Sequence, residues 1–142
     1  MKFFFLILSL ILLSCNYNQN KEKKLIYDFV NEVVLKDNIK GKRLLNYLNY
    51  SKDIDTESLK EIIKELKTMI SKDFVVLEHT ALKKQNISID FKFSDYRKVY
   101  HLVSNKKIVT TFVVDEGKII SFFYAIRKHK TDSLYPALLV ID

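Results

Sequence analysis

Residues 98–128 read KVYHLVSNKKIVTTFVVDEGKIISFFYAIRK. Apolar and polar side chains alternate through this stretch, the period-2 pattern of β-strands. The alternation predicts strands over 98–103, 107–114 and 118–128. Ser104-Asn105-Lys106 reads as one turn and Asp115-Glu116-Gly117 as a hairpin turn, with Gly117 supplying a positive φ. In the last strand, alternation sends Phe122 and Phe123 to opposite faces. Both faces of that strand are apolar, so one meets the rest of the core and the other needs a second cover or serves as a binding face.

Upstream, 74–80 is rich in β-branched residues and predicts another strand. Ile87, Ile89, Phe91 and Phe93 alternate with Ser88, Asp90 and Lys92, which predicts a half-buried one. Before Ser71 the period is helical instead. Leu25, Ile26, Phe29, Val30, Val33 and Val34 share one face of a helix over 21–36. A shorter helix is expected over 40–49, with Leu44, Leu45 and Leu48 together. A third carries Leu59, Ile62, Ile63, Leu66, Met69 and Ile70 behind an Asp55 or Thr56 N-cap. Residues 137–141 form an apolar tail that suits an edge strand. Helices followed by hairpin-linked strands give an α+β fold: two or three N-terminal helices on a four- to five-stranded antiparallel meander. This element order is similar to the cone-shaped nuclear-transport-factor-like and cystatin-like folds, in which a curved sheet wraps N-terminal helices.

The first fifteen residues, MKFFFLILSLILLSC, carry one basic residue and an eleven-residue apolar run, Phe3 to Leu13. That run is shorter than the ~20 residues that span a bilayer and has the length of an export signal. It ends in Leu12-Leu13-Ser14-Cys15, which resembles the lipobox of bacterial lipoproteins. The resemblance implies cleavage before Cys15, a thioether-linked lipid on its sulfur, and export to the cell envelope. It divides the chain into a signal peptide (1–14), a polar tether (15–24) and a single α+β domain (25–142). Asn16, where some inner-membrane lipoproteins carry an acidic residue, favours the outer membrane.

The 142 residues carry a net charge of +7 and 10 Phe with 8 Tyr, which excludes a wholly disordered chain. The basic excess is almost all Lys, with Arg only at 43, 97 and 127, so the bidentate base contacts of nucleic-acid readers have few donors. No nucleic-acid partner is expected; anionic headgroups beside the anchor suit the charge. The single Cys excludes a disulfide framework, and glycines only at 41 and 117 exclude phosphate-binding Gly-rich loops. Asp53, Asp55, Asp115 and Glu116 read as cap and turn residues. No Ser sits in a nucleophile-elbow pattern. By strand parity His79 joins Val75 and Leu77, and His101 joins Val99 and Val103, so the two rings could meet on neighbouring strands. Without a local ligand motif they read as packed rings, and we assign no metal and no cofactor. The expectation is a membrane-anchored, non-enzymatic module that binds a protein, a second copy or an apolar ligand. Its candidate face holds Tyr100, His101, Phe122, Phe123 and Tyr124. The alternatives are a small hydrolase centred on Tyr100, His101 and Tyr124, or an inhibitor or immunity protein.

Overall fold

The computed structural model describes residues 20–37, 39–51, 54–123, 126–127 and 134–139. Helix α1 occupies residues 20–29 and runs on as a π-turn over Val30–Val34. It starts inside the stretch read as tether, so 20–24 belong to the fold. Its buried residues Ile26, Phe29, Val30, Val33 and Val34 follow the spacing of one helical stripe. Helix α2 is Gly41–Tyr47 and α3 is Thr56–Met69. Asp55 caps α3 by accepting from the backbone N–H of Glu57 (3.2 Å) and Ser58 (3.1 Å). One helical expectation fails locally. Leu44 and Leu48 are buried, but Leu45 is 54% exposed, because only a narrow stripe of a seven-residue helix meets the core.

The strands β1 (Phe74–Glu78), β2 (Val99–Ser104), β3 (Lys107–Asp115) and β4 (Lys118–Ser121) form an antiparallel meander in chain order. The fold is therefore α+β, with helices first and the sheet second. Asn105 and Lys106, then Glu116 and Gly117, all take positive φ, which gives each hairpin a two-residue turn. Each sheet edge is tied to another part of the chain. Tyr27 of α1 accepts the Val76 N–H at 3.0 Å on the β1 side. On the β4 side, Asn49 N–H donates to Ile119 O and Leu139 N–H to Ile120 O.

Sheet residues Val76, Tyr100, Leu102, Phe112, Val114 and Ile119 pack against the helices. Val99 and Val113 lie on the other face, under Phe91, with Ile89, Phe93, Ile120 and Leu134 at the margin. Three strand expectations need correction here. First, β1 stops at Glu78, and His79–Gln85 is a 3-10 turn ending on Asn86 in the left-handed conformation. Second, 87–93 is not a strand of the sheet. Among the described residues it pairs through the bridge Phe91↔Leu134 and joins no strand of the four-stranded sheet. Its Ile89, Phe91 and Phe93 lie instead against Val99 and Val113 on the sheet's face.

Third, β4 stops at Ser121 instead of reaching 128. Phe122 is fully buried and touches Phe29 and Phe112, and Phe123 packs edge-on against Phe122, 5.1 Å between centroids. Both rings join the helix-side core, because strict alternation ends with the strand. The short ladder of β5 (Ile126–Arg127) and β6 (Leu134–Tyr135) follows. Residues 137–139 form no strand, though Leu139 is buried; 140–141 lie outside the described residues.

Phe122→Ala should cost about 3–5 kcal/mol, the usual loss for a buried aromatic. Phe123→Ala, at the half-buried margin, should cost clearly less. Urea midpoints of the two variants check this, and equal losses would contradict the placement.

Candidate functional site

On the sheet face away from the helices, three polar side chains form a chain. His101 lies in the middle of β2 and is fully buried. Its cross-strand neighbour Thr111 sits opposite on β3. His101 Nδ1 is 2.9 Å from Thr111 Oγ1, and His101 Nε2 is 2.9 Å from His79 Nδ1. His79 arrives from the first residue of the 3-10 turn that follows β1. Leu77 pairs with His101, so leaving the strand two residues later swings His79 back over His101.

Aromatic rings enclose the pair. Tyr96 stacks on His79, with centroids 4.5 Å apart and planes at 20°. Phe91 meets His101 edge-on at 6.0 Å. The Tyr96 hydroxyl donates to Phe91 O at 2.9 Å, which fixes the ring that covers His79.

Burial pushes the His101 ring down to about 3, with the second histidine adding to the effect. His79 is also lowered, by burial first and then by the Lys83 charge. Both rings are therefore neutral at pH 7, and each carries one N–H. Two registers satisfy the chain. In one, Thr111 donates to His101, His101 donates to His79, and His79 holds its proton on Nε2. In the other, every bond reverses and His79 Nε2 is a bare lone pair. A neutral Thr–His–His chain can thus pass hydrogen-bond polarity from the sheet interior to the surface without burying a charge.

His79 and Tyr96 line a cleft of about 690 Å³. Thr80, Lys83, Asn86 and Ser88 supply its other polar groups, and Leu82, Ile87 and Ile89 its apolar wall. No carboxylate is among these lining residues.

The sequence-derived face is divided by the fold. Tyr100 and His101 are neighbours on β2 and point to opposite faces. Tyr100 is buried on the helix side, where its hydroxyl donates to the Glu22 carboxylate. Burial and this partner hold the Tyr100 phenol well above its ordinary range, and burial raises Glu22. Phe122 and Phe123 also lie on the helix side, beside a second cavity of about 200 Å³ bordered by Ile62 and Met69. Cys15 and Tyr124 lie outside the described residues. Among the described residues of the expected face, only His101 reaches the cleft's neighbourhood, through His79. Parity had placed His79 and His101 within reach; nothing marked Lys83 or Thr111. No group of three or more His, Cys, Asp or Glu among the described residues could hold a metal ion. Comparison with known protein families, with curated proteins and with solved structures finds no match.

The unfolded His101 ring takes up a proton near pH 6.5, whereas the folded one resists to about 3. Stability is complete above pH 6.5 and falls as the pH drops through that window. The slope should approach ~1.4 kcal/mol per pH unit for this ring. Urea midpoints between pH 7 and 5 read it out; the lowered His79 adds to the same slope, and the raised Glu22 opposes it at the acid end. His101→Phe should be less stable at pH 7 and show a flatter profile; an unchanged slope would show that His101 is not the group responsible.

Proposed function

We propose that this chain is a lipid-anchored protein of the bacterial cell envelope that works as a non-enzymatic binding module. The cleft beside His79 carries the binding reading. Hydrogen-bond donors and an apolar wall converge there, and the groups named for a hydrolase do not, since Tyr100 and His101 face opposite sides of the sheet. A cleft of this size falls within the range of small-molecule sites.

Anchoring rests on the lipobox-like Leu12-Leu13-Ser14-Cys15. No helix among the described residues is long and apolar enough to cross a membrane. From Cys15 to residue 20 the backbone can reach no more than about 18 Å at ~3.3–3.6 Å per residue. A lipid on Cys15 would therefore hold the folded part close to the bilayer. Stable attachment needs more than one acyl chain, which a thioether-linked diacylglycerol on the Cys15 sulfur, with acylation of its amine, would supply. Asn16 favours the outer membrane over the inner.

Growing cells on an alkyne fatty acid tests the anchor. The wild-type protein should take up label and fractionate with membranes, and Cys15→Ala should take up no label and leave an uncleaved or mislocalised precursor. Absence of label on the wild type would end the lipoprotein reading.

A further inference from the structure

We propose that the cleft between the His79–Tyr96 stack and Lys83 binds a monocarboxylate with an apolar body. This rests on the binding-module reading and gives it a ligand class.

The polar groups of the cleft are one ammonium, Lys83, and the neutral groups of His79, Thr80, Asn86 and Ser88. All five can donate a hydrogen bond. Lys83 makes no ion pair among the described residues and is exposed, and its charge is felt at His79. A single positive charge with no carboxylate in the lining suits a singly charged anion better than a dianion or a cation. Leu82, Ile87 and Ile89, with the Tyr96 ring, offer the apolar body a wall.

The buried chain prepares the site for an acceptor. An anion opposite His79 Nε2 selects the register in which that atom carries the proton. Thr111 then donates to His101 Nδ1, and His101 Nε2–H donates to His79 Nδ1. Each bond polarises the next toward the anion, so a neutral imidazole becomes a stronger donor than it would be alone. The ring cannot turn away, since one nitrogen is tied to His101 and one face to Tyr96. An amine in the same place would find the Lys83 charge and no compensating carboxylate.

Equilibrium dialysis of the full chain in lipid nanodiscs, against empty discs, tests the proposal with 1-naphthoate as probe. One saturable site is expected. 1-Naphthylmethanol and 1-naphthylmethylammonium should bind at least tenfold more weakly. Lys83→Ala removes a charge-assisted hydrogen bond and should weaken naphthoate about tenfold. Lys84→Ala, at an exposed lysine outside the lining, should leave it unchanged. His79→Gln, which keeps a donor but breaks the chain to His101, should weaken naphthoate and not the neutral alcohol. Equal affinity for all three probes, or equal effects of the two lysine variants, would overturn the proposal. Fatty-acid labelling is independent of this result, so loss of the cleft and loss of the anchor are told apart.

Discussion

Strands β2 and β3 are buried on both faces, and the rest of the architecture answers that demand. All six residues of β2 are buried, as are six of the nine in β3. A sheet with one wet face would show buried and exposed residues in turn. Here the helices seal one side, with Phe29, Phe112 and Phe122 meeting at its centre. The other side cannot be left to water, and the chain between β1 and β2 folds back across it. The 3-10 turn, the extended 87–93 segment and the Tyr96–Lys98 turn are that cover.

A cover made without ladder hydrogen bonds needs other fixings. Phe91 supplies the apolar one, resting near Val99 and Val113. His79–His101–Thr111 supplies the polar one, and its members suit one another. A lone buried imidazole would leave a polar atom unpaired, at a cost of about 1–3 kcal/mol. Thr111 and His79 satisfy both nitrogens of His101, so burial is tolerated as long as the ring stays neutral. The same contact that holds the cover to the sheet places His79 at the edge of the cleft. Structural and binding roles thus meet in one side chain.

The local elements were legible in the sequence because their determinants are local. The stripe in α1, the Asp55 cap, and the two turns each depend on a few adjacent residues. Errors arose where a distant partner decides. Alternation at Ile87–Phe93 marks an extended segment with one apolar side, but not whether its backbone lies beside a strand or across a face. Phe122 and Phe123 were separated by a parity that holds only while β4 continues, and β4 ends at Ser121. Tyr100 and His101 were placed on one candidate face, whereas they belong to opposite layers. The cleft escaped notice because its wall comes from the 79–89 segment and Tyr96, which only the fold-back brings together.

The fold-back and the cleft both depend on a neutral, doubly hydrogen-bonded His101. Long-range proton–nitrogen NMR correlation of the imidazole nitrogens at pH 5 tests this directly. The account predicts that His101 shows one protonated and one unprotonated nitrogen, with a hydrogen-bond coupling to a His79 nitrogen. Two equivalent imidazolium-type nitrogens on His101 at that pH would contradict it.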